Sequence, residues 1–492
     1  MLQVSSVSRG LILFTACCSI GASEAKAHAF AAPYTLPVPF WLYAYGSIAA
    51  LLLSFLILAF FSSPRIPQQG ESVAVALVVT HKKGLTLHSK VEATLRCLSF
   101  ASITICIVSG LIGSPNPMLN FNMTWFWILF LLVLVYLASV IGDFYPVVSP
   151  WSLPLSFIQK ISKGRRTEYL NYPKKLGYFP SVGMYFVLVA LELFGNGSPA
   201  TLSFFLAAYL AWMLFGSLLF GPAIWLEYAD TFRLMFKLIG MLAPVEWIHE
   251  ASRWQIRLRW PLAGLMKRTL MPFSLTFFIL FMISSTAFDG IHDTLLWNSG
   301  YWRSVSPVLM SAVGSGSSDI DAVAADIYYG WQWLCLLLSP FVYLVAYAFV
   351  LGIGKFIVGS PRSAGQLLSD FALSLVPIAF FYHVTHYFSV ALSQAPQIYR
   401  LISDPFGWGW NLFGTAQGAL RPFMIDASVV WHLQVVMVLV GHVLAVYIAH
   451  GQSFHSFRSR SKALISQIPM MTLMMGLTAS GLWILSLPMN SG

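Results

Sequence analysis

The chain alternates long apolar runs with short polar connections, and this rhythm predicts its elements. The runs lie at about Phe40–Phe61, Leu95–Gly113, Trp125–Ile141, Val182–Phe194, Leu202–Trp225, Leu270–Phe288, Trp331–Ile353, Leu367–Leu392, Val429–His450 and Leu464–Leu487. Most approach the ~20 residues that a helix needs to cross a bilayer, and the Val182 run is short. They are continuous rather than alternating, which predicts helices and not a barrel. The fold class is therefore all-α: a polytopic helical membrane protein with about ten spans.

Composition agrees with that reading. The 492 residues are 58% hydrophobic and 9% charged, with a mean hydropathy of +0.74. Too little polar surface exists to cover a soluble domain of this size. The net charge of +10 is not a nucleic-acid signal, because the basic residues sit between spans. With the mature N-terminus placed in the periplasm, the connections assigned inside carry Arg65, Lys82, Lys83, Lys90, Lys160, Lys163, Arg165, Arg166, Lys174, Lys175, Arg233, Lys237, Arg253, Arg257, Arg259, Lys267, Arg268, Lys355, Arg362, Arg458, Arg460 and Lys462. Those assigned outside carry little beyond Arg303, Arg400 and Arg421. Positive residues on the inner side at every turn fix the predicted topology in a bacterial inner membrane. Residues 1–27 read as a signal peptide: Arg9 precedes the apolar Leu11–Ala22, and Ala25-Lys26-Ala27 supplies small residues around a cleavage site. Residues 28–492 then form one multi-span domain whose first residue is His28. The five cysteines make no disulfide framework and no CxxC knuckle.

Candidate chemistry gathers on the outer side. Ionisable residues inside a span are costly and mark functional sites by default. His383 and His386, three positions apart in the eighth run, project from one helix face and suit a shared metal or substrate. His432 begins the ninth run at a depth close to that of His386, and an N-terminal His28 offers an amine and a ring to the same face. These four are the predicted metal ligands for a divalent ion, zinc or copper. Asp289, His292 and Asp293 close the sixth run and are the predicted catalytic group, as a base with its orienting carboxylate. The plainer reading makes Asp289, His292 and Asp293 a helix-end cap, and makes the deeper His442 a helix-to-helix hydrogen bond. On the inner side, Asp143–Trp151 reads as an interfacial or re-entrant segment, and Glu227 to Lys237 as an amphipathic surface helix. No P-loop, GxGxxG or GxSxG is present.

Leu36-Pro37-Val38-Pro39-Phe40-Trp41-Leu42-Tyr43-Ala44-Tyr45-Gly46, Phe288-Asp289-Gly290-Ile291 and Ser403-Asp404-Pro405-Phe406-Gly407-Trp408-Gly409-Trp410-Asn411-Leu412-Phe413-Gly414 resemble the bacterial membrane-bound fenitrothion hydrolases. The resemblance extends over most of the mature chain but carries no catalytic signature residue by residue. It implies an enzyme that hydrolyses an apolar organophosphorus triester, releasing a nitrophenol from a dialkyl thiophosphate. The partners expected are that ester and the lipid bilayer. The alternative from the residues alone is a copper-binding or copper-transporting protein, with the outer histidines and His442 as its path.

Overall fold

A computed structural model of the chain describes residues 38–61, 85–161, 169–250, 253–266, 271–313, 320–418, 426–457 and 459–487. The predicted signal peptide and His28 lie outside these residues. The molecule is an all-α multi-pass membrane protein, with nine helices among the described residues long and apolar enough to cross a bilayer. They are α1 (Phe40–Phe61), α2 (Ser89–Ile112), α3 (Phe121–Ile141), α5 (Pro199–Phe220), α7 (Phe273–His292), α8 (Val323–Val358), α9 (Ala364–Leu401), α10 (Ala427–Ser456) and α11 (Arg460–Ser486). The predicted short run is α4 (Phe179–Phe194), an apolar helix of 16 residues, below the usual spanning length.

The bundle is organised around α7. In its most apolar stretch 94% of residues are buried, against 17% for α1, so α7 is the hub and α1 faces outward. It packs against α4, α8, α9 and α11, while α9 lies along α10 and against α3. Where α2 meets α5, a Cβ on Gly110 would collide with Ser203 Oγ, Asn122 Nδ2 and the Pro199 carbonyl. The bare backbone is what lets these helices approach. The expected span Leu202–Trp225 stops earlier, at Phe220. Gly221 takes φ +88°, and Pro222 opens a separate turn of helix.

Two local departures from ideal helix shape the interior. Residues Met123–Val133 of α3 wind as a π-helix, a rare form that is frequent at functional sites. In α9, a tight turn at Leu373–Leu375 precedes Pro377, which has no amide to donate. The regular helix Val376–Gln394 that follows carries His383 and His386.

At the basic end of the bundle one expectation needs correction and one feature was not expected. The expected surface helix is α6 (Thr231–Gly240), and it is tucked inside: Phe232 and Phe236 are fully buried, and Phe232 packs edge-on to Phe130 at 5.1 Å. Its apolar face is covered by the bundle and not by a membrane surface, since eight of its ten residues are buried. Only its charged edge reaches out, where Arg233 pairs with Asp143 at 2.5 Å and Lys237 with Glu227. The Asp143–Trp151 segment is buried too, at Tyr145 and Trp151. The second departure is a three-stranded antiparallel sheet of β1 (Leu85–Thr86), β2 (Val245–Glu250) and β3 (Arg253–Leu258), ordered β1-β3-β2. Trp247 Nε1 donates to the Ile141 carbonyl at 2.7 Å and fastens this sheet to the end of α3.

Candidate functional site

A cavity of about 460 Å³ opens between α3, α4, α7 and α9. Its wall on α3 is the π-helical face Met123, Trp127, Ile128 and Leu131; Met235 of α6 also lines it. At the end of the bundle away from the basic connections it is bounded by Asn116, Pro117 and Met118 and by Gly197 and Ser198. That rim is braced by the Trp-rich loop after α9, where Ser114 N donates to the Phe406 carbonyl at 2.7 Å. The volume falls within the ~300–1,000 Å³ that holds small organic ligands.

The polar groups in this apolar cavity belong to few residues. Asp289 sits on the buried hub helix, 4% exposed, and its Oδ2 lies 2.8 Å from Nε2 of His386. The Tyr387 hydroxyl donates to the same Asp289 oxygen and also bonds to Glu192. Glu192 lines the cavity from α4 with its side chain exposed there. Tyr185 and Ser285 share a 3.1 Å hydrogen bond on the same wall. His383 also faces the cavity, with its ring 4.8 Å from that of Tyr387 and no hydrogen bond to its buried Nδ1. A carboxylate beside an imidazole can fix the orientation of the ring and stabilise its charged form, which is the arrangement a general base needs.

The structure brings three predicted residues to this cavity: Asp289, His383 and His386. The other two of the predicted catalytic group stand behind it. His292 is buried between Phe288 and Phe194, its Nδ1 2.8 Å from the Asp289 carbonyl oxygen. Its Nε2 lies 3.4 Å from Asp293, whose side chain is 50% exposed. Neither His292 nor Asp293 lines the cavity.

His432 is a correction. It is held by Ser428 O at 2.7 Å and Tyr43 OH at 3.4 Å, on the side of α10 that meets α1. Depth along neighbouring helices matched, but azimuth did not. Gln434 is the residue that reaches α9, donating to the Thr385 carbonyl at 3.2 Å. Two residues of α-helix turn through about 200°, so His432 must look the other way. Of the four predicted metal ligands, His383 and His386 therefore line the cavity and His432 does not, while His28 lies outside the described residues. Among the described residues no group of three or more His, Cys, Asp or Glu side chains is set to hold one ion. His442 is buried on α10 against the Val438 carbonyl at 2.9 Å and does not line the cavity.

Sequence reasoning missed Glu192 and gave Tyr387 no role. Glu192 had a signal, being an acid inside an apolar run and open to the rule that flagged the histidines. Compared with protein-family models, curated proteins and solved structures, the chain matches none.

Proposed function

We propose that the chain is a multi-pass hydrolase of the bacterial inner membrane that cleaves neutral organophosphorus triesters such as fenitrothion, with its pocket open toward the periplasm. The observation that carries this reading is the 2.8 Å contact between Asp289 and His386 on the wall of an apolar cavity. In the reaction, water oxygen forms a bond to phosphorus and the bond to the aryloxy oxygen breaks. The water proton passes to the Asp289–His386 pair as the phenolate leaves, and the pair then returns that proton to the phenolate, so the products are a dialkyl thiophosphate and a phenol and the base is regenerated. Tyr387 keeps the Asp289 carboxylate turned toward His386, which holds the base in one orientation. The apolar walls suit a substrate that partitions from the lipid.

The test is nitrophenol release by the purified full chain, with His386→Ala and Asp289→Asn beside it. The reading expects turnover in the wild type and its loss, by about 10²–10⁴-fold, in either variant. Absence of turnover in folded wild type, or full turnover in folded His386→Ala, refutes it.

A further inference from the structure

One imidazole on the cavity wall makes no hydrogen bond. His383 lines the cavity, its Nδ1 is buried, and neither ring nitrogen has a hydrogen-bond partner among the described residues. Rings flank it, Tyr387 at 4.8 Å and Tyr136 edge-on at 6.0 Å. With the Nδ1 edge buried, Nε2 is the nitrogen that a molecule in the cavity can reach. A neutral imidazole carries one N–H and one lone pair. A buried N–H without an acceptor is rarer than a lone pair without a donor, so the proton belongs on Nε2 and the ring offers a donor to the lumen. The hydroxyls at its level are committed elsewhere. Helices α7 and α9 run in the same direction, with α8 returning between them, and Asp289 meets His386. One turn further from the mouth come Ser285 and Thr286 on α7 and His383 on α9. Thr286 Oγ1 donates to the Met282 carbonyl at 3.1 Å and Ser285 Oγ to the same carbonyl at 3.3 Å. The Tyr185 hydroxyl, 3.1 Å from Ser285 Oγ, then donates to that oxygen.

We infer that His383 receives the acceptor atom of the ligand: its Nε2–H donates to the phosphoryl oxygen of a neutral ester, so the site takes phosphate triesters in preference to their thiono analogues. Oxygen is a strong acceptor and sulfur a weak one. An apolar pocket with no donor has the opposite preference, because oxygen costs more than sulfur to bring out of water. His386 stands one turn away on the same helix face, about 4.5 Å along the axis. The two rings can therefore address two atoms on one phosphorus, His386 the attacking water and His383 the phosphoryl oxygen. As the water oxygen bonds to phosphorus, negative charge builds on the phosphoryl oxygen, and it drains away when the aryloxy group leaves. A donor already in place stabilises that charge. His383 gives up no proton, so the proton balance of the hydrolysis is unchanged. Only the identity of the reacting atom rests on the hydrolytic reading; the preference for an oxygen acceptor is measured with no turnover at all.

The experiment is isothermal calorimetry on the purified full chain in a neutral detergent, with tributylphosphine oxide and tributylphosphine sulfide, probes of one shape with no bond to hydrolyse. The expected result is tighter binding of the oxide. His383→Phe raises the Kd of the oxide by about tenfold or more and leaves that of the sulfide within about twofold. Wild type that binds the sulfide as tightly as the oxide or more tightly, or that binds neither, overturns the assignment, and that comparison needs no variant to fold. An oxide preference that persists in folded His383→Phe overturns it as well, and so does an equal weakening of both probes, which is what a merely structural role would give. Turnover is read separately, on fenitrothion and its oxygen analogue. Inactive protein that still prefers the oxide tells against the hydrolase alone; active protein with no oxide preference tells against the role of His383 alone.

Discussion

Asp289→Asn is the sharpest single perturbation, because it keeps the shape of the side chain and removes only its charge. The Asp289 Oδ2 atom accepts from Tyr387 and sits 2.8 Å from His386. An amide oxygen in the Oδ2 place can still accept from both groups through its two lone pairs, but it carries no negative charge. The imidazole loses the carboxylate that stabilised its charged form. Loss of a positioned general base costs about 10²–10⁴ in rate, which is about 3–5 kcal/mol of barrier. The cost in stability is smaller, about 1–3 kcal/mol for a buried group left without its partner. The expectation is therefore a collapse of kcat with KM within about threefold, since Asp289 contacts its own side chains rather than the ligand's apolar surface. The assay is nitrophenol release at saturating substrate, with a melting curve on the same preparation. Wild-type kcat in folded Asp289→Asn would falsify the assignment of this pair as the base.

Three further outcomes follow from the geometry. His432→Ala should leave turnover and ligand affinity within about twofold of wild type, since His432 contacts Ser428 and Tyr43 and not the cavity; a loss like that of His386→Ala, read in the same assay, would mean α10 contributes to the site after all. Gly110→Ala should lower the melting temperature, because the new methyl meets Asn122, Ser203 and the Pro199 carbonyl, an overpacking worth about 1–3 kcal/mol; an unchanged melting curve would refute the close approach of α2 and α5. At the basic end, burial pushes the Asp230 carboxyl up from its ordinary 3.8 to about 6, against the pull of hydrogen bonds from Tyr209 and Tyr145. A raised folded value means that Asp230 contributes stability in its neutral form below about pH 4 and loses it as pH rises through about 6, a change of about 3 kcal/mol. The pH dependence of the melting temperature over that window should flatten in Asp230→Asn, and an identical profile in the two proteins would sink the argument.

The spans were legible because a bilayer imposes one length and one polarity on whatever crosses it. Phe40–Phe61 was read to the residue and most others to within four, except that α2 starts six residues before the expected Leu95, α10 runs six past the expected His450, Gly221 and Pro222 cut one run short, and α8 and α9 extend past the bilayer length. The sheet was missed for a different reason. Val245 to Glu250 breaks apolar–polar alternation at Ile248 and His249, so no clean period of two marked it, and the connection was weighed only for its charges. In the site, Asp289 and His386 were legible as ionisable residues in apolar runs. Which face each helix turns inward was not, because a uniformly apolar span has no polar stripe from which azimuth can be read. His432 was placed by depth alone, and depth leaves rotation about the helix axis free.

The hub position of α7 sets a schedule for biosynthesis. Asp289 leaves the ribosome 98 residues before Tyr387, and at ~5–20 residues per second that interval lasts roughly 5–20 s. Throughout it the carboxylate stands among apolar helices with its two main partners still unmade. A newborn chain that stalls before α9 therefore displays an orphaned acid at its centre, a mark by which membrane proteases could tell an unfinished copy from a finished one.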